Sequence, residues 1–151
     1  MGSLRDRLRG QRVYLDANVF IYALEGIEPW ATSLHGVFSG LEAGELIAIT
    51  SRLTLAECLV RPFALGREDL VQVYRLALSP RPSLEIAPLQ TELLVSAARL
   101  RAELGFKLPD AIHVATALMQ GCTAMLTNDA GFRRAPDLTL FLLSEWGAPS
   151  C

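Results

Sequence analysis

PDAIHVATALMQG, Pro109 to Gly121, followed by CTAMLTND, Cys122 to Asp129, is the stretch on which the fold turns. Its first part is apolar nearly all round at helical spacing, which describes a helix buried on more than one side. Gly121 stops that helix, and TAMLTND reads as a short apolar strand. The same alternation recurs outward from it. Upstream, VYLD (13–16) is a short apolar run closed by an acid, and ANVFIYALEG (17–26) reads as a helix ending near Gly26. A second helix is expected over Ala31–Ala43, with Gly44 as its stop, and ELIAIT (45–50) is an Ile-rich strand. LTLAECLVRPF (53–63) reads as a helix broken near Pro62, and REDLVQVYRLAL (67–78) as another ended by Pro80 and Pro82. SLEIAPL (83–89) is a third strand. LQTELLVSAARLRAEL (89–104) then sets Leu93, Ala97, Leu100 and Leu104 at helical spacing. Downstream, LTLFLL (138–143) is a fifth strand. Short apolar strands alternating with helices describe an α/β domain whose mostly parallel sheet is covered on both faces.

Composition sets the outer limits. The chain has 151 residues, enough for one domain. With 51% hydrophobic and 20% charged residues it is not intrinsically disordered. No apolar run approaches the ~20 residues of a bilayer span and no signal-peptide pattern opens the chain, so a cytoplasmic protein is expected. Cys58, Cys122 and Cys151 form no C-x-x-C pair, which argues against a disulfide framework or a thiolate zinc site. The net charge of −2 excludes nucleic-acid binding by bulk electrostatics alone. The first stretch, MGSLRDRLRG, carries Arg5, Arg7 and Arg9 against Asp6, and Arg12 follows. The expectation is a loose basic arm over 1–11, a domain over 12–146 and a tail over 147–151.

Four acids stand at the edges of these elements: Asp16, Glu57, Asp110 and Asp129. In open parallel sheets, ligands bind beyond the carboxyl ends of the strands, the edge these positions face. Each also has a purely local reading. Asp16 and Asp129 suit helix or turn caps, Thr54-x-x-Glu57 matches a capping box, and Asp110 complements a helix dipole in its first turn. If the four converge, mutual repulsion raises some of their pKa values unless a cation neutralises them. Oxygen ligands without thiolates select Mg²⁺ or Mn²⁺, which activate water and stabilise the leaving oxygen in phosphodiester cleavage.

VYLDANVFIYAL, LTLAE, LPDAIHVATAL and MLTNDAGF, in this order, resemble the PIN-domain ribonucleases, especially toxins of VapBC-type toxin–antitoxin pairs. The similarity spans roughly Val13 to Leu143. The resemblance implies an α/β/α sandwich on a five-stranded mostly parallel sheet and Mg²⁺- or Mn²⁺-dependent endoribonuclease activity on RNA. It makes Asp16, Glu57, Asp110 and Asp129 the catalytic, metal-holding acids, and Asn18, Thr127 and Asn128 their polar supports. It also implies a VapB-like antitoxin partner and a homodimer. An antitoxin Arg is expected among the acids, with its segment in an apolar groove between the helix at 17–25 and the one starting at Leu53. Arg52, Lys107, Arg133 and Arg134 flank the acidic motifs and are candidates for holding RNA phosphates. His113, three residues after Asp110, shares its helix face, and is expected in the core or supporting the site rather than as a ligand. Glu25, near Gly26, is expected on an exposed helix end. Two other readings stay open: a phosphohydrolase with Asp16 as nucleophile, and a non-catalytic binding module whose acids are helix caps. The phosphohydrolase reading wants a second Asp where Asn18 stands.

Overall fold

A computed structural model describes residues 2–146. Five strands, β1 (Arg12–Leu15), β2 (Ile47–Ser51), β3 (Leu84–Ala87), β4 (Ala124–Thr127) and β5 (Thr139–Leu142), form one sheet in the order β3-β2-β1-β4-β5. Every pairing is parallel. Helices α1 (Leu4–Leu8), α2 (Ala17–Glu25), α3 (Trp30–Glu42), α4 (Arg52–Ala64), α5 (Glu68–Ala77), α6 (Thr91–Leu104) and α7 (Leu108–Met119) cover it. No helix among the described residues is long and apolar enough to cross a membrane.

Strand alternation sends successive side chains to opposite faces, and it divides the core in two. Val13 and Leu15 of β1, Ala48 of β2, and Ala124 and Leu126 of β4 join Val19, Phe20, Leu34 and Val37 of α2 and α3 on one side. Tyr14, Ile49 and Met125 point the other way, into Leu93 and Ala97 of α6 and Ala111, Val114 and Ala115 of α7. From Ala111 to Ala117, α7 is buried without a break, as its all-round apolar sequence predicts.

Three local expectations are corrected. The loose basic arm is instead a packed helix. Ser3 caps α1 in a reciprocal capping box with Asp6, and Leu4 and Leu8 enter the core four residues apart on one face. Its arginines are held by the fold: Arg5 and Arg9 both pair with Glu45, and Arg7 lies over the Phe141 and Trp146 rings. The predicted break near Pro62 is absent, because α4 continues to Ala64. Pro62 stands in the last turn, where its missing N–H forfeits one bond and little helix remains to be lost. Glu25 is not at an exposed end. It accepts hydrogen bonds from Tyr74 and from Arg61 (2.8 Å), tying α2 to α4 and α5. The tail at 147–151 lies outside the described residues.

Strand direction places the candidate site. β1 sits in the middle, with β2 on one side and β4 on the other, so the chain leaves β1 and β4 in opposite directions around a crevice at their carboxyl ends. Asp16 follows β1, and Asn128 and Asp129 follow β4. Because β4 must start at the amino edge, α7 before it runs from carboxyl edge to amino edge. That leaves Asp110, in its first turn, at the crevice.

Candidate metal centre

Asp16 ends β1 as the N-cap of α2 and is buried. Its Oδ1 accepts from the Ala17 amide at 2.8 Å, and its Oδ2 accepts from Thr127 Oγ1 at 2.7 Å and Asn18 Nδ2 at 3.3 Å. Thr127 Oγ1 also accepts from the Asp129 amide at 3.1 Å and from Asn18 at 3.4 Å. Asp129 accepts in turn from the Gly131 amide at 2.8 Å, capping the 3-10 turn Ala130–Arg134. Among the described residues Asn128 donates no hydrogen bond to the acids. Its amide donates to Asn18 Oδ1 and its side chain to Tyr22, while Ser144 N donates to its Oδ1. One hydroxyl, that of Thr127, thus links the ends of β1 and β4.

Glu57 arrives differently. The capping-box expectation at Thr54 fails because α4 starts earlier: Ser51 is its N-cap, accepting from the Leu53 amide. Thr54 is buried against Thr50, which donates to Leu15 O. Glu57 is therefore in the second turn, beyond reach of the free amides. Its partner is His113, whose Nε2 lies 2.5 Å from Glu57 Oε1 and 3.8 Å from Asp16 Oδ1. The other ring nitrogen, Nδ1, meets the hydroxyl of the fully buried Tyr14 at 2.5 Å.

Charge in this crevice is unbalanced. Burial and the charges of Asp129, Asp16 and Glu57 push the Asp110 carboxyl above its usual range, with His113 pulling the other way. Burial lowers the affinity of His113 for a proton, but the Glu57 hydrogen bond and the charges of Asp16, Glu57 and Asp110 outweigh it, and its pKa stands above the ordinary value. Burial and the neighbouring acids push the Cys58 thiol up to about 12, so it is no nucleophile. Asp16, Glu57 and His113 present donor atoms all within 4.8 Å of one another. Asp110 and Asp129 lie outside that trio but close enough for their charges to be felt. Carboxylate donors already oriented by protein hydrogen bonds suit a hard divalent cation.

Sequence reasoning assigned His113 to the core or to a support of the site; it lies in the core, with Nε2 against Glu57. The same reasoning missed Tyr14, read only as an apolar strand residue. The one available signal was the i, i+3 spacing of Asp110 and His113, which says nothing of a strand residue across the sheet. The four basic candidates divide. Arg52 and Lys107 stand at the starts of α4 and α7 and make no ion pair among the described residues. Arg133 pairs with Glu145 at 2.6 Å. Arg134 donates to Leu104 O at 3.1 Å and lies over the Phe106 ring, clamping the α6–α7 corner. A cavity of about 290 Å³ lies among α2, α3 and α5, lined by Phe20, Leu24, His35, Phe38, Ala77 and Arg81.

Comparison with solved structures finds this fold elsewhere. VapBC2 of Rickettsia felis, bound to a DNA fragment from its promoter, superposes with a TM-score of 0.68 at 20% identity, over 87% of this chain and 98% of that one. FitAB bound to an IR36 DNA fragment gives 0.65 at 23%, over 91% and 98%. Both are likenesses of fold. A toxin–antitoxin complex from Klebsiella pneumoniae gives 0.62 at 26% identity, over 84% and 95%. A search of curated proteins finds no match. The PIN-domain family model matches residues 13–138, from β1 to the edge of β5, and the chain belongs to the PIN-domain family.

Proposed function

We propose that the protein is a metal-dependent endoribonuclease acting in the cytoplasm as the toxin of a VapBC-type pair. The observation that carries this reading is the cluster of Asp16, Glu57 and His113, with donor atoms within 4.8 Å of one another at the crevice between β1 and β4 of a PIN fold, and Asp110 near enough for the acids to push its carboxyl up. Capping explains Asp16 and Asp129 in part. It does not explain Glu57, which reaches no backbone amide and is held by a buried histidine.

In this reading the four acids hold Mg²⁺ or Mn²⁺. A bound ion of this kind supplies an activated water and charge neutralisation at the leaving oxygen. The chain's own residues prepare the place. Thr127, Asn18 and the Ala17 amide fix Asp16. His113 fixes Glu57, and the Gly131 amide fixes Asp129. Arg52 and Lys107 stand free at the α4 and α7 starts to hold RNA phosphates. Arg133 and Arg134 are engaged in holding the 3-10 turn, and contact RNA only if those bonds open.

Cleavage of mixed RNA with Mn²⁺ tests the reading. It requires that EDTA and Asp110→Asn each abolish cleavage, and undiminished cleavage in EDTA would overturn the metal mechanism. The partner we infer is a VapB-like antitoxin, supported by the toxin–antitoxin complexes among the structural neighbours. Its Arg would enter the acid cluster, and the α2–α3–α5 cavity offers its chain an apolar seat. Raising Mg²⁺ should then weaken inhibition. A homodimer completes the proposal, and light scattering on the purified chain measures it directly.

A further inference from the structure

We propose that Tyr14 and His113 form a buried positioning relay that aims Glu57 into the metal centre, an inference that rests on the nuclease reading above. Asp16 and Asp129 sit at helix or turn starts, where backbone amides orient their carboxylates without help. Glu57 is one turn further into α4, with one more rotatable bond than the aspartates at the caps. Left alone, its carboxylate would sample several staggered positions in a crevice already crowded with negative charge. His113 Nε2 removes that freedom through a single contact at 2.5 Å.

A histidine holds a carboxylate in place only if its own ring is held. His113 comes from α7 and is fully buried between that helix and the sheet. Tyr14 comes from the central strand and is fully buried as well. The two rings meet edge to face at 5.6 Å between centroids, and the Tyr14 hydroxyl lies 2.5 Å from Nδ1. That contact dictates the use of the opposite nitrogen. With Nδ1 accepting from the Tyr14 hydroxyl, the neutral ring carries its hydrogen on Nε2, aimed at Glu57. The relay therefore runs from the sheet through α7 to α4, and couples three elements at the atoms of one carboxylate. Its logic is that of a group that orients a metal ligand from behind, whose loss typically weakens metal affinity about 10- to 100-fold.

The test is Mn²⁺ binding to the metal-free full chain by titration calorimetry, at a temperature well below the melting point of every variant. Tyr14→Phe deletes one oxygen and leaves both rings packed. His113→Leu removes the relay, and His113→Gln restores an N–H donor near the position of Nε2. We expect Tyr14→Phe and His113→Leu each to weaken Mn²⁺ binding about 10-fold or more. His113→Gln should recover most of the loss. A residue with a merely structural role would lower the melting temperature and leave the affinity unchanged. Wild-type affinity in Tyr14→Phe and His113→Leu, with binding lost in Asp110→Asn, overturns the relay and leaves the metal centre standing. Absence of Mn²⁺ binding in the wild type overturns both together.

Discussion

The Thr127 hydroxyl bonds both Asp16 and the Asp129 amide, which makes Thr127→Val an informative perturbation. The substitution keeps the β-branched shape at the buried end of β4 and exchanges only the hydroxyl for a methyl. Asp16 Oδ2 loses its 2.7 Å donor and keeps only the longer bond from Asn18 at 3.3 Å. A hydrogen bond to an ionised group contributes about 1.5–3 kcal/mol. The Asp129 amide loses its acceptor at 3.1 Å, and because it is only part-buried its penalty belongs near ~1 kcal/mol, the low end for an unsatisfied donor. The long contact with Asn18 adds nothing we count. The expected loss is about 2.5–4 kcal/mol, and for a domain of this size that lowers Tm by roughly 5–15 °C. Urea unfolding in EDTA measures it, with a lower midpoint at unchanged m-value as the signature. Thr116→Val is the control, since the equally buried Thr116 hydroxyl bonds only the Ile112 carbonyl of its own helix, at 2.6 Å. It should cost less than about 1 kcal/mol. A Thr127→Val loss no larger than that of the control would refute the claim that this hydroxyl anchors Asp16.

Asp110→Asn should abolish cleavage while leaving the Tm of the metal-free protein equal to or above that of the wild type. The Asp110 pKa is raised in the folded state, so its ionised form weakens the fold at neutral pH. Any Tm gain should therefore be fullest there and vanish as pH falls through the folded pKa toward the ordinary one, which melts across a pH series would show. Glu45 has the opposite sign: hydrogen bonds from Arg5, then Arg9, hold its carboxyl down at about 2. The anchorage of α1 should persist above the ordinary carboxylate range and weaken as pH falls from there toward about 2. Arg5→Ala should flatten that pH dependence in circular-dichroism melts, and an unchanged profile would remove the pairing from the account. Arg52→Ala and Lys107→Ala should each weaken RNA binding and reduce its salt slope by about one. Arg134→Ala should lower Tm instead, and equal salt slopes in all three would erase the division drawn between them.

The five strands of the parallel sheet and its two-sided cover follow from patterns visible along the chain: five short apolar runs, each closed by a turn or an acid, with helical periodicity between them. What the pattern could not show is where polar residues inside apolar runs send their side chains. Tyr14 and Thr127 both lie in strands whose buried neighbours read as plain core, yet one braces His113 and the other Asp16. Their partners are 99 and 111 residues away in sequence, and no local spacing carries that information. The amino-terminal helix was missed for a related reason. Counting arginines suggests a solvated arm, whereas Leu4 and Leu8 on one face, with Glu45 across the fold, decide the outcome.

Convergence of acids is weaker evidence for a site than it looks, because in a parallel sheet every strand-to-helix junction lies at the same edge, and capping residues gather there anyway. What distinguishes this crevice is the oxygens that capping leaves over. Asp129 uses Oδ1 for the Gly131 amide, and among the described residues its Oδ2 has no donor. Glu57 uses Oε1 for His113 and likewise keeps Oε2. Asp110 accepts no hydrogen bond among the described residues, although burial and its neighbours push its carboxyl up. A set of caps evolved only for helix stability would gain nothing from a buried Tyr–His pair spent on a second-turn glutamate, nor from a half-buried carboxylate held beside three others. Unused carboxylate oxygens on several elements at one crevice are what a divalent cation needs and what helix capping leaves unexplained.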